Sequence, residues 1–254
     1  GNNPSSTTDA AEYNIAVGIT ALDAITTGDY NIAIGHGALS DNTSGEVNVA
    51  IGKDALNQNT SGSYNTAIGN AVLERNTSGS NNTVLGRSSM PMNTTGRYNT
   101  ATGAFSLYQN TTGDYNMASG NETLKSNTTG SFNTAAGSKA LYSNTTGGFG
   151  TALGYDALYA NTTGSYNTAI GYNALDANTT ATGNTSIGYS SLGANTTGSY
   201  NTALGNSAGD LITTGANNVI IGAGADPSAN IGENQIVIGK GATGQADNSV
   251  VLGN

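Results

Sequence analysis

The sequence predicts an all-β fold, a parallel β-roll or β-solenoid wound in 17-residue turns, and three observations predict it. The first is a period: Tyr13-Asn14-Ile15-Ala16-Val17-Gly18 recurs at Tyr30 to Gly35, Val47 to Gly52, Tyr64 to Gly69, and onward to Asn217 to Gly222 and Asn234 to Gly239. A spacing held without insertion or deletion makes each copy one structural rung. The second is alternation of side-chain size within each copy, the pattern of a strand. The third is composition: 36% of residues are hydrophobic, 9% are charged, Trp is absent and Phe occurs three times. A thick globular core cannot be built from that, and a disordered chain would not repeat an apolar pair in register. Residues 1–12 form a lead-in and residues 13–233 hold thirteen 17-residue repeats. Residues 234–254 hold a shortened 14-residue repeat and the start of the next strand.

The elements of one turn follow in order. In Tyr166-Asn167-Thr168-Ala169-Ile170, residues Tyr166, Thr168 and Ile170 fall on one face and Asn167 and Ala169 on the other. Gly comes sixth in every turn from Gly18 to Gly239, a corner with no side chain in the way. The Ala-Leu segment that follows reads as a short return strand or a single helical turn, since 17 residues leave no room for a full helix. An Asn-Thr-Thr/Ser corner closes the turn at Asn42, Asn59, Asn76, Asn93, Asn110, Asn127, Asn144, Asn161, Asn178 and Asn195. Identical Asn side chains stacked one rung apart can exchange amide hydrogen bonds along the axis. Parallel strands lie about 4.8 Å apart, so fourteen turns give a narrow rod of roughly 70 Å.

Such a coil is expected to hold only small residues inside, including Ala16, Ala33, Ala67, Ala101, Ala118, Ala135, Ala152, Ala169 and Ala203. That leaves a stripe on the opposite face: Val17, Ile34, Ile51, Ile68, Leu85, Leu153, Ile170, Ile187, Leu204, Ile221 and Ile238. An apolar stripe of this length is an interface candidate. At about 1.5 to 3 kcal/mol per buried side chain, eleven residues supply on the order of 15 to 30 kcal/mol, enough for obligate assembly. Periodicity leaves the alternative open that this stripe fills a wider solenoid and the Ala face looks outward. In three consecutive turns the stripe thins to Thr102, Ser119 and Ala136. Either Met117 with Tyr98, Tyr115 and Phe132 compensates, or a wet pocket interrupts the interface.

Near the C-terminal end, Asn234-Gln235-Ile236-Val237-Ile238-Gly239 is followed 14 residues later by Asn248-Ser249-Val250-Val251-Leu252-Gly253, with Gly-Lys-Gly-Ala-Thr-Gly between the strands. This stretch resembles the YadA-like head repeat of trimeric autotransporter adhesins, and the 17-residue Asn-Thr-Ala-Ile-Gly form resembles repeats of phage tail fibres and trimeric bacterial surface fibres. The resemblance covers residues 13–253. It implies a left-handed roll and a homotrimer, intertwined or side by side, with bulky strand residues facing the threefold axis. The chain departs from the family in its three extra residues per turn and in lacking coiled-coil heptads, a membrane-anchor barrel and a self-cleaving chaperone domain.

Other chemistry is poorly represented. A net charge of −9 with seven scattered Lys and Arg argues against nucleic acid. No apolar run reaches the ~20 residues of a spanning helix, so this segment is not expected to insert in a membrane. No cysteine is present, which excludes disulfides. His36 is the single histidine, and Asp23, Asp41, Asp54, Asp114, Asp156 and Asp176 fall at different points of the turn. No metal, cofactor or catalytic site is therefore expected. The Asn corners, with Asn121-Glu122-Thr123, are also sequons for N-glycosylation, set against their use as corner residues. The column Thr43, Thr60, Thr77, Thr94, Thr111, Thr128, Thr145, Thr162 and Thr179 resembles the hydroxyl arrays of ice-binding solenoids, although it lies at a corner beside Gly.

The reading that results is a non-enzymatic, extracellular, trimeric fibre segment, the stalk or head of a cell-surface adhesin or a virion tail fibre, spacing or presenting a tip that attaches to a host-surface or glycan receptor. Its alternatives are a glycan-binding module using Tyr108, Tyr142, Tyr155, Tyr159, Tyr172 and Tyr189 on an outer return strand, and an ice-binding solenoid. The strand that runs up to Asn254 without a polar cap leads us to expect a further domain beyond it.

Overall fold

A computed structural model describes residues 11–253. The remainder of the lead-in, and Asn254 at the uncapped end, lie outside the described residues. Over the described residues the protein is a β-solenoid of about fourteen turns with fifteen parallel three-residue strands. It divides into two compact units, residues 1–129 and 130–254. The first holds β1 (Ile15–Val17), β2 (Ile32–Ile34), β3 (Val49–Ile51), β4 (Thr66–Ile68), β5 (Thr83–Leu85), β6 (Thr100–Thr102) and β7 (Met117–Ser119). The second holds β8 (Thr134–Ala136), β9 (Thr151–Leu153), β10 (Thr168–Ile170), β11 (Thr185–Ile187), β12 (Thr202–Leu204), β13 (Val219–Ile221), β14 (Ile236–Ile238) and β15 (Val250–Leu252). Within each unit every strand pairs with the next in chain order, residue on equivalent residue. Ile32 thus lies beside Val49 and Ala33 beside Ala50, and β14 to β15 keeps this register across the 14-residue turn.

Repeat positions are numbered 1 to 17 from Tyr13, Tyr30 and their equivalents. The extended segment is shorter than the five residues predicted, because position 1 takes a left-handed backbone (φ 58° at Tyr30, 60° at Tyr64) and cannot continue a strand. The predicted return strand or helical turn is absent among the described residues. Positions 7 to 17 are turns in which positions 8 and 10 are also left-handed, as at Asp54 (φ 56°) and Leu56 (φ 50°). These turns are nevertheless hydrogen-bonded from rung to rung: Leu39 N donates to Ala55 O at 3.0 Å and Thr43 N to Thr60 O at 3.1 Å. The ladder therefore runs through the corners as well as the strands, which satisfies main-chain groups that a narrow coil would otherwise strand.

The Gly at position 6 is required on two grounds. Gly35 has φ 135°, and a Cβ there would stand 2.4 Å from the carbonyl oxygen of Gly52 in the next rung. No side chain fits that approach.

The interior corrects one expectation. It does take the small face, since Ala33, Ala50, Ala67, Ala101, Ala152 and Ala169 are fully buried, and this rules out an outward Ala column. It is not restricted to small residues, however. Leu39, Leu56, Leu73, Met90, Leu107 and Leu124 in the first unit, and Leu141, Leu158, Leu175 and Leu192 in the second, form a buried column at position 10. The left-handed backbone turns each of these side chains inward, where the facing Ala leaves room. A left-handed residue costs about 1–2 kcal/mol, whereas burying a Leu contributes about 1.5–3 kcal/mol. Burial outweighs the conformational cost, so the column forms.

Candidate functional site

The surface candidate is the outward sheet face, made by positions 1, 3 and 5. The structure puts all eleven stripe residues there and buries none. Val17, Ile34, Ile68, Leu85, Leu204 and Ile238 are exposed, and Ile51, Leu153, Ile170, Ile187 and Ile221 are half-buried by their column neighbours. Beside the stripe, position 1 carries aromatic rings in face-to-face stacks: Tyr13 on Tyr30 and Tyr98 on Tyr115 at 4.8 Å, Phe132 on Phe149 and Phe149 on Tyr166 at 4.9 Å. The ring spacing is the rung spacing, because parallel in-register strands place equal side chains directly above one another. Position 3 lies between, mostly Thr in the middle rungs and Ile or Val toward both termini. Where the stripe thins, Met117 projects from the same strand and face as Ser119 and is exposed.

The Asn corners are interior. Asn59 Nδ2 donates to Asn42 Oδ1 at 2.8 Å and to Gly62 O at 2.9 Å, and the pattern continues through Asn76, Asn93, Asn110 and Asn127. In the second unit it runs Asn144, Asn161, Asn178, Asn195. All ten side chains are buried. A buried amide whose two N–H groups are donated cannot be a sugar acceptor in the folded chain, so the N-glycosylation alternative is withdrawn at these sites. At Asn121 the asparagine is exposed, but the hydroxyl-bearing Thr123 is buried.

A second amide ladder lies beyond what the sequence reading reaches. Position 2 (Asn31, Asn48, Asn65, Asn82, Asn99 and its equivalents) is also buried. Within each unit the Oδ1 accepts the main-chain N–H of the residue one rung on, as Asn31 Oδ1 does from Asn48 N at 3.0 Å and Asn133 Oδ1 from Gly150 N at 2.9 Å, and the Nδ2 reaches a position-16 carbonyl, as Asn48 does to Gly62 at 2.9 Å. A signal for it exists: an Asn at position 2 in nearly every turn, on the face assigned to the interior. Side-chain size alone does not reveal its bonding.

The tyrosines considered for glycan contact lie in turns, since no return strand exists. Tyr155, Tyr172 and Tyr189 are exposed and stacked at 5.3 and 5.4 Å, so both faces of Tyr172 are covered by its neighbours. Tyr142 stacks on Tyr159 at 5.1 Å, and Tyr108 meets Phe105 edge-on at 5.9 Å. At Tyr172 a sugar would meet the ring edge and hydroxyl, not the apolar faces that sugars stack on. The Thr column is likewise engaged. Thr43 Oγ1 donates to Thr60 O at 2.9 Å, and the same bond joins Thr60 to Thr77 and Thr162 to Thr179. Its hydroxyl protons hold rungs together instead of facing a lattice of water.

The remaining polar chemistry is dispersed. His36 is exposed, with Nδ1 3.6 Å from Asp54 Oδ1. Burial raises the Asp156 carboxyl above the ordinary carboxylate range against the opposing charge of Lys139. Burial also raises Asp176, opposed by main-chain hydrogen bonds. Among the described residues no three His, Cys, Asp or Glu side chains form a group able to hold a metal, and no helix is long and apolar enough to cross a membrane.

Fold and surface together define a parallel β-solenoid repeat protein whose units each have a filled interior and an apolar sheet face. No family model matches the chain, and no curated protein sequence matches it.

Proposed function

We propose that this chain is a structural segment of an extracellular fibre of the adhesin or tail-fibre kind, assembled as a homotrimer through the face formed by positions 1, 3 and 5. The observation that carries this reading is that the interior is already full while large apolar side chains stand outside it. In the first unit Tyr13, Tyr30, Tyr64, Tyr98 and Tyr115 are each about half exposed or more. At ~200 Å² per ring they offer roughly 500 Å². The stripe residues and Met117 bring the face to the order of the ~800 Å² per partner that a stable interface buries.

The partner chemistry follows from the spacing. A ridge of side chains repeating once per rung is matched along its length only by a surface with the same repeat, and a second copy of this chain has one. The resemblance of residues 13–253 to trimeric adhesin heads and tail fibres gives the number of copies and the extracellular setting. Work is done by shape: each rung adds main-chain hydrogen bonds and contact area, and an attachment tip is carried by this support.

Sedimentation equilibrium at micromolar concentration tests the assembly. A species of three 25.3 kDa chains is expected. A stable 25.3 kDa monomer would overturn the reading.

A further inference from the structure

A fibre made of equal rungs has a register problem, and the thinned part of the stripe answers it. This inference rests on the assembly proposed above. In the first unit the stripe runs Val17, Ile34, Ile51, Ile68, Leu85 and then changes to Thr102 and Ser119. Both are half-buried on the outward face, and among the described residues their hydroxyls make no hydrogen bond. Strand registers are residue on equivalent residue throughout the unit, so sliding one copy along another by a whole rung, about 4.8 Å, brings equivalent backbone back against equivalent backbone. Along the aliphatic part of the stripe the slide replaces one Ile or Leu with another and sacrifices only the contact of the overhanging rungs. Position 5 in that part does not tell one register from the next, so any register signal there is left to position 3, where Ile15, Ile32 and Val49 give way to Thr66 and Thr83.

We propose that Thr102 and Ser119 form the register key of the assembled fibre. When copies are aligned, these hydroxyls face their own counterparts and pair across the interface, directly or through a shared water. When copies slide by one rung, only one hydroxyl row still meets another. When they slide by two, every hydroxyl is pressed against Ile, Leu or another apolar side chain and is buried without a partner. An unpaired buried hydroxyl is penalised far more than an aligned one is rewarded. Polar residues set within an apolar seam fix register in coiled coils by the same physics, at some loss of stability.

The absence of cysteine makes the test direct. Two single-cysteine versions, Ile34→Cys and Ile68→Cys, place thiols two rungs apart, roughly 10 Å along the axis and beyond the ~4.4–6.8 Å Cα separation a disulfide accepts. One version carries a size tag, and both are co-assembled, oxidised and resolved by mass, first with Thr102 and Ser119 intact and then with T102I/S119I in both. With Thr102 and Ser119 intact, only like-with-like products are expected, one I34C chain joined to another or one I68C chain joined to another. The T102I/S119I background is expected to add the mixed product that joins an I34C chain to an I68C chain. Mixed product from intact chains, or none from T102I/S119I chains that sediment as trimers, overturns the register role and leaves the assembly standing. Trimers that give no disulfide at all overturn both the key and the choice of face, and a monomer overturns the assembly reading itself.

Discussion

Asn195 Oδ1 is buried and has no hydrogen-bond donor, and Ile212 occupies the position in the next rung from which a ladder Asn would donate to it. The corner ladder ends here, because its last acceptor faces a residue that cannot donate, whereas the last Asn of the position-2 ladder, Asn218, still accepts from Gln235 N. Ile25 stands at the opposite end, one rung before Asn42. Ladder members are therefore unequal, although the sequence repeats them as equals.

Removing an interior member is expected to cost more than removing the end one. Asn93→Ala leaves Asn76 Oδ1 without its donor and one N–H of Asn110 Nδ2 without an acceptor, while Gly96 O keeps the bond from Asn82 Nδ2. At about 1–3 kcal/mol per unsatisfied buried group, a loss of about 2–4 kcal/mol is expected. Asn195→Ala removes one orphan while creating another at Asn178, and should cost about half as much. Chemical denaturation of the two variants measures the difference, and equal losses would contradict the ladder's role.

The Leu column separates inside from outside. Leu73→Ala empties a fully buried site and is expected to cost about 2–5 kcal/mol. Ile68→Ala, on the outward face of the same turn, should change the stability of an isolated chain by less than about 1 kcal/mol. The same substitution should weaken association, so unfolding and sedimentation measured on one variant distinguish folding from assembly.

Position 8 offers a stabilising change. Ala71 has φ 51°, and other rungs place Gly at the same position, including Gly37, Gly224 and Gly241. Ala71→Gly relieves a left-handed cost of about 1–2 kcal/mol and returns part of it as unfolded-chain entropy. A net gain of about 0.5–1 kcal/mol is expected in denaturant unfolding, where glycine in ordinary strands and helices gives a loss.

The pH dependence has a definite sign. Asp156, Asp176 and Asp226 have carboxyls raised above 3.8 in the folded chain, each chiefly by burial. A raised carboxyl binds its proton more tightly in the folded state, so its contribution favours folding below the unfolded value and is lost as pH rises through the folded one. Melting temperature should therefore fall between about pH 4 and neutrality from this cause. D176N should flatten that slope, and an unchanged slope in D176N would count against it.

How far the sequence could be read is clear from particular residues. Tyr166, Thr168 and Ile170 were legible as one face because a strand alternates with period two, and Gly171 as a corner because the period places Gly there in every turn. Leu175 was not. Its inward turn depends on a left-handed φ of 55°, which no propensity assigns to Leu, and which only burial against Ala on the facing strand sustains. The corner asparagines were legible as a ladder from their spacing, but their burial was not, since a polar corner suggests water. The position-2 ladder was hidden because its partners are carbonyls 14 residues on, a distance that only the closed turn brings together.

What the sequence determined by itself is the rung: its length, its parallel register, its Gly corner and which strand residues share a face, all consequences of strict periodicity acting on strand geometry. What only the tertiary structure decided is which way the second half of each turn points. Coiling brings position 10, two Asn columns and the position-16 carbonyls into one narrow interior. There the balance between left-handed strain and burial, together with the amide ladders, fills the core without the stripe and leaves Ile34, Ile68 and Leu85 on the outside.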